Sequence, residues 1–211
     1  MTNIVLLTVD TLRRDVLGCY GGGDLTPFID SIQKRCLRFT KAHSPGPYTR
    51  AAFPGVLTSS YYLEYGVQKM LSGKRVLISE ALKRKGLITA GFHSNPHLSG
   101  YFGWNRGWDV FYDSMQEDVD PKAPYIKASI INQRVERWLS SFAAEGSRKP
   151  FFLWVHYMDV HEPYVHAKRY IDMVDPSLQI SEEEMLRLRV DCVSLTCLCL
   201  LWVVLLLFPM L

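Results

Sequence analysis

Residues 3–10 read NIVLLTVD, a short apolar run that ends on the carboxylate of Asp10. Such a run, with no charge before its last residue, is typical of a central strand in a parallel sheet. Residues 88–94 and 151–157 repeat the pattern, and segments with helical periodicity separate the three runs. Strands that alternate with helices predict an α/β protein with a doubly wound, mostly parallel sheet and helices on both faces.

The predicted helices place apolar side chains on one face. They cover residues 27–37, 76–85 and 125–144. A further helix is predicted to begin near Thr49, although Pro54 would confine it to one turn or break it. A short strand is predicted at residues 37–42 and a long structured loop at residues 95–120.

The composition is that of a globular chain, with 48% hydrophobic and 21% charged residues among 211. It excludes an intrinsically disordered, collagen-like or coiled-coil protein. A net charge of +3 without a dense Lys/Arg run argues against a nucleic-acid partner. The first apolar run is too short for a signal peptide and lacks a basic segment before it, which predicts a cytoplasmic start.

The C-terminal segment differs from the rest, because residues 192–211 contain no charged residue. One interpretation is a C-terminal membrane anchor, since about 20 apolar residues cross a bilayer. The other is translation past a change of reading frame near Arg189, which the abrupt change in composition favours. The sequence therefore divides into residues 1–189 and an apolar tail, residues 190–211. The five cysteines show no zinc spacing and no disulfide pattern.

Polar side chains follow each of the three predicted strands. They are Asp10, then Asn95 and His97, then His156, Asp159 and His161. Because ligands of α/β sheets bind at the carboxyl ends of the strands, this edge is the predicted site. The loop that carries Thr49 and Arg50 precedes a predicted helix and is expected to reach the same edge.

Each of these residue types has a chemical use and a structural alternative. Asp10 could ligate a hard metal ion or simply cap a turn. Thr49 could act as a nucleophile or cap the next helix, and Arg50 could bind an oxyanion. The histidines could transfer protons or ligate a metal, and two of them beside an Asp are less often structural than one alone.

Taken together, these motifs resemble the sulfatase family of alkaline-phosphatase-like hydrolases. Residues 3–39 match its opening, with DTLRRDVLGCYG followed by TPFID. PYTRAAFPGVLTS resembles the nucleophile segment, and SNPHL with FGWNRGWDVF and PFFLWVHYMDVHEPY resemble two later segments. The resemblance implies the alkaline-phosphatase-like fold for residues 1–189, incomplete at the C-terminus.

The resemblance also implies roles for single residues. Asp10 falls on a ligand of a divalent metal ion, which could be Ca, Mg, Mn or Zn. Thr49 falls on the nucleophile, where sulfatases carry a Cys or Ser that becomes formylglycine. Thr cannot be converted, so formylglycine is not expected, and relatives that act on phosphate esters use an unmodified Thr. His97 and His161 fall on catalytic histidines.

Three further residues are expected to bind the substrate, namely Arg50, Asn95 and His156. The substrate implied by the resemblance is a small-molecule sulfate ester. A phosphate ester is the alternative, because relatives that act on phosphate esters use an unmodified Thr at the position of Thr49. The family's second group of metal ligands is not found after His161, which predicts a truncated chain. The alternative is a non-catalytic fragment, or a binding protein tethered to a membrane through residues 192–211.

Overall fold

The computed structural model describes residues 2–66, 69–119, 124–164, 168–181, 183–185 and 202–209. The strands are β1 (Thr2–Val9), β2 (Ile88–His93), β3 (Val110–Tyr112), β4 (Phe151–Tyr157) and β5 (Trp202–Pro209). They form one sheet in the order β3-β2-β4-β1-β5. The first four strands are parallel, and β5 pairs antiparallel with β1. The predicted mostly parallel α/β sheet is confirmed.

The helices connect these strands. They are α1 (Pro27–Gln33), α2 (Thr49–Thr58), α3 (Ile78–Arg84), α4 (Ala128–Ala144) and α5 (Lys168–Val174). Helix α2 begins at Thr49 and continues through Pro54, so the expected break does not occur. Pro54 is the sixth residue of the helix, and it lacks the N–H that would otherwise donate to the carbonyl of Arg50.

Helices pack on both faces of the sheet because side chains alternate along each strand. On one face, Phe53 and Leu57 of α2 pack with Trp154 and other buried aromatics. On the other face, Ile131 of α4 packs with Phe92 and neighbouring strand residues. Packing on both faces holds β1, β2 and β4 in place, and therefore also positions the residues that follow these strands.

Two local predictions were wrong. The strand expected at residues 37–42 does not form, and its apolar residues Leu37 and Phe39 are 89% and 70% exposed. The loop expected at residues 95–120 contains β3, which pairs with β2 over three residues. Short strands carry little local signal, so pairing decides whether they form: β3 pairs with β2, whereas residues 37–42 are not part of the sheet.

Part of the apolar tail is described. Residues 202–209 form β5 beside β1, whereas residues 186–201, 210 and 211 lie outside the described residues. No described helix combines the length and the apolar character needed to cross a membrane.

Candidate active site

The site lies at the carboxyl edge of the sheet, where β1, β2 and α2 meet. Asp10 follows β1, Asn95 follows β2, and Thr49 is the first residue of α2. The Thr49 hydroxyl donates to Asp10 Oδ2 over 3.1 Å. The Asn95 amide donates to the same oxygen over 3.0 Å and to Thr49 Oγ1 over 3.1 Å. Three residues far apart in sequence therefore form one closed hydrogen-bonded cluster.

This cluster is buried and negatively charged. Asp10 is 2% exposed, Asn95 2% and Thr49 8%. Burial alone would raise the pKa of Asp10, but contact with His156, the charges of His156 and His161, and the Thr49 hydrogen bond lower it to about 2. Asp10 is therefore ionised at neutral pH, and its carboxylate orients the Thr49 hydroxyl.

A second layer of polar residues lies behind Asp10. His156 is fully buried in β4, and its Nε2 lies 3.6 Å from Asp10 Oδ2. Its Nδ1 lies 2.9 Å from the hydroxyl of Thr8, which also accepts a hydrogen bond from Trp154 Nε1 over 3.0 Å. The structure thus places His156 behind the carboxylate, away from solvent. Thr8 was not among the predicted residues, although it is the one polar residue inside the first apolar run.

His97, His161 and Arg50 are, after His156, the charged or titratable residues nearest in effect to the cluster. The backbone N–H of His97 donates to Asn95 Oδ1 over 2.9 Å. The pKa of His97 is lowered by partial burial, then by the positive charges of Arg50 and His161, while Asp10 acts in the opposite direction. His161 is partly buried and also lowers the pKa of Asp10. These effects place His97 and His161 within electrostatic reach of Asp10, and Arg50 within reach of His97.

Two other residues near these strands have structural roles. Both carboxylate oxygens of Asp159 accept a hydrogen bond from the backbone N–H of Ala128, at 3.0 and 2.9 Å. Asp159 therefore caps the N-terminus of α4. His93 lies fully buried next to His156 across the sheet, and burial lowers its pKa to about 3.

The described residues by themselves do not match a site for a hard divalent ion. Asp10 is the one carboxylate of the cluster, and both of its oxygens accept hydrogen bonds from protein groups. Within the described ranges, no three His, Cys, Asp or Glu side chains are arranged so that they could hold a metal ion. Because such ions take six or more oxygens or keep several waters, one carboxylate would hold them weakly.

A shallow cleft opens beside the N-terminus of α2. Arg50 and His97 form the wall nearest the cluster, and Lys69 and Arg75 are among the residues that line the remainder. The aromatic rings of Tyr62 and Trp104 also line it, together with aliphatic side chains. The cleft is therefore both cationic and partly apolar.

This geometry and the order of its motifs agree with a family match. The family model for sulfatases matches residues 2–196, and the chain belongs to the sulfatase family. No curated protein sequence matches the chain significantly.

Solved structures share the fold at low sequence identity. A protein in complex with its substrate D-glucosamine-2-N,6-O-disulfate is 20% identical, with a TM-score of 0.67 over 85% of this chain and 39% of that one. An alkaline phosphatase superfamily protein from Vibrio parahaemolyticus is 18% identical, with a TM-score of 0.65 over 88% and 47%. The phosphonate monoester hydrolase of Agrobacterium radiobacter is 17% identical, with a TM-score of 0.65 over 86% and 45%. The chain thus spans less than half the length of these three structures.

Proposed function

We propose that this chain carries the nucleophile side of an ester hydrolase that acts on sulfate or phosphate esters of small molecules, with Thr49 as the attacking residue. The main support is the closed cluster of Asp10, Thr49 and Asn95. A threonine that only caps a helix needs neither a buried carboxylate nor a buried amide on its hydroxyl. Membership of the sulfatase family and the cationic cleft beside Thr49 point in the same direction.

The first chemical step is attack by Thr49 Oγ1 on sulfur or phosphorus. Asp10 and Asn95 hold this oxygen through one donated and one accepted hydrogen bond, so that a remaining lone pair can face the ester. With a pKa of about 2, Asp10 is too weak a base to remove the hydroxyl proton and serves to orient it. The bond from Thr49 forms as the bond to the leaving oxygen breaks.

The remaining groups move protons and bind charge. His97, whose pKa is lowered chiefly by partial burial, is the residue proposed to take up the proton of the nucleophile when the Thr49 hydroxyl turns from Asp10. Arg50 and the dipole of α2 attract the anionic oxygens of the ester. His161 is the residue proposed to donate a proton to the leaving alcohol. Water then releases the acid from Thr49 in a second step.

A divalent ion is not part of these steps. Members of the sulfatase family generally bind one, and by resemblance Asp10 is the residue that would ligate it. Its chemistry would be polarisation of the ester oxygen and of the nucleophile. Because the described residues offer only Asp10, any further ligands must come from outside the described part of the chain or from another molecule.

The test is ester cleavage by the full chain. We expect release of nitrophenol from 4-nitrophenyl sulfate or 4-nitrophenyl phosphate, assayed with each of Mg, Ca, Mn and Zn ions. Thr49→Val keeps the shape of the side chain and should reduce release by up to about a millionfold, the scale of losing a nucleophile. Thr58→Val, at the other end of α2, is the matched control and should retain activity.

The better substrate of the two decides between sulfate and phosphate chemistry. If neither ester is cleaved under any of these conditions, the proposal fails for this chain, and the non-catalytic alternative takes its place. Equal activity in Thr49→Val and wild type would also contradict it, because the reaction would then not depend on the hydroxyl.

A further inference from the structure

The cleft beside α2 extends beyond the groups needed to bind one ester. Arg50 and His97 border the Thr49 cluster, whereas Lys69 and Arg75 line the cleft without contributing to that cluster. A leaving group that extends from Thr49 past Arg50 would meet this lining. The lining of the cleft therefore bears on the chemistry of the leaving group.

The charged side chains that line the cleft are all positive among the described residues. The lining includes Arg50, Lys69 and Arg75, and no Asp or Glu is among the described lining residues. A cleft with one sign of charge and low-dielectric walls concentrates counter-ions near it. Such a lining favours an anionic group and disfavours a neutral or cationic one.

Arg75 strengthens this argument because it is buried without a carboxylate. It is 5% exposed, and its guanidinium donates to the hydroxyl of Ser60 and to the backbone carbonyls of Tyr61 and Tyr62, at 2.9 and 2.8 Å. It also lies over the ring of Tyr65, 4.8 Å from the centroid. Among the described residues, no Asp or Glu oxygen is paired with it within 4.0 Å.

These contacts fix the guanidinium in place but leave its charge unneutralised. A buried cation usually pairs with an anion, because neutral partners compensate only part of the lost hydration. An anionic ligand in the cleft would supply the missing charge. Lys69, which lies 5.8 Å from the ring centroid of the exposed Tyr101, provides a second cation at the open side.

We propose that the cleft is a second anion subsite, and that the preferred substrate carries, besides the ester attacked by Thr49, another anionic group that binds to Lys69 and Arg75. Tyr62 and Trp104 in the same lining suit a ring that bears both groups. This inference rests on the proposed function, because it concerns the substrate of that reaction. The subsite itself is tested by binding alone.

The experiment compares two probes that cannot be hydrolysed, benzenesulfonate and 1,3-benzenedisulfonate, titrated into the full chain by calorimetry and NMR. The disulfonate should bind at least about tenfold more tightly, the effect of one added charge-assisted contact. This difference should shrink as salt is added.

Two lysine variants locate the effect. Lys69→Met should remove most of the preference for the disulfonate and leave binding of benzenesulfonate nearly unchanged. Lys74→Met, five residues further along and outside the cleft, should leave both affinities unchanged. Both lysines are exposed, so neither variant threatens folding.

The outcomes separate this inference from the proposed function. Equal affinity for the two probes, or no binding of the disulfonate, overturns the subsite even if Thr49-dependent cleavage of a simple ester is observed. A disulfonate preference that survives in Lys69→Met overturns it as well. A preference that depends on Lys69, in a chain that cleaves no ester, supports the subsite while the proposed hydrolysis fails.

Discussion

Replacement of Thr8 by valine tests how His156 is held behind Asp10. The Thr8 hydroxyl accepts from Trp154 Nε1, which can only donate, and its one hydrogen has two acceptors within reach, the carbonyl oxygen of Val155 at 3.3 Å and His156 Nδ1 at 2.9 Å. If that hydrogen is donated to His156 Nδ1, at 2.9 Å, the ring proton sits on Nε2 and faces Asp10. The opposite tautomer would turn a lone pair toward the carboxylate. We therefore expect the Nε2–H form.

The loss of stability in Thr8→Val follows from the buried groups that lose the Thr8 hydroxyl as their hydrogen-bond partner. Thr8→Val is nearly isosteric, so it leaves no cavity, but it strips a hydrogen bond from the buried Trp154 Nε1 and from His156 Nδ1. An unsatisfied buried polar group costs about 1–3 kcal/mol, so with two such groups the free energy of unfolding should fall by roughly 2–6 kcal/mol. Thr8→Ser keeps the hydroxyl and should lose only about 1 kcal/mol for the methyl group.

Two measurements check this account. Urea unfolding gives the stability of the wild type and both variants, and ¹⁵N chemical shifts at mildly alkaline pH report which nitrogen of His156 carries the proton. The Nε2–H form is expected in the wild type and in Thr8→Ser. A ring protonated at Nδ1, or a loss in Thr8→Val no larger than that in Thr8→Ser, would refute the reasoning.

Three other perturbations test the sheet edge and the core. Asp10→Asn should be about 2 kcal/mol less stable than wild type at about pH 5, a difference that disappears near pH 2. Folding lowers the pKa of Asp10 from 3.8 to about 2. The ionised carboxylate therefore stabilises the folded protein above pH 3.8, and this stabilisation is lost as the pH falls through about 2. Urea titrations across this range measure it, with the exposed Asp24→Asn as control, and a constant difference would contradict it. Asp159→Ala should cost about 1 kcal/mol as a lost helix cap, without changing sulfonate binding. Gly91→Ala should lower the free energy of unfolding by about 1–3 kcal/mol, measured by thermal or urea unfolding, because the new Cβ would lie 3.3 Å from aromatic rings. Gly73→Ala is the control and should leave stability unchanged, because its Cβ would meet no atom within 4 Å.

The central strands could be predicted because each is a run of apolar residues that ends on a polar one. The strand pattern also predicted that Asp10 and Asn95 lie at the same edge of the sheet, because the carboxyl ends of parallel strands share an edge. The position of Thr49 at the start of α2 was also accessible from the sequence. The structure adds that these three side chains bond directly to one another.

Other features depend on contacts that no local pattern records. β3 has three residues and owes its conformation to pairing with β2. His156 alternates with apolar neighbours, but only the register with β1 shows that it faces Thr8. Asp159 looked like part of a catalytic group, yet it reaches the N-terminus of a helix that begins 31 residues before it.

The most direct test of the account is whether the acid group of the ester is transferred to Thr49. The full chain would be incubated with its better nitrophenyl ester, quenched in acid, digested, and analysed by accurate-mass spectrometry of the peptide containing Thr49. We expect a sulfo or phospho group on Thr49 that is absent from the Thr49→Val variant. Ester cleavage with Thr49 unmodified and Thr49→Val equally active would contradict it.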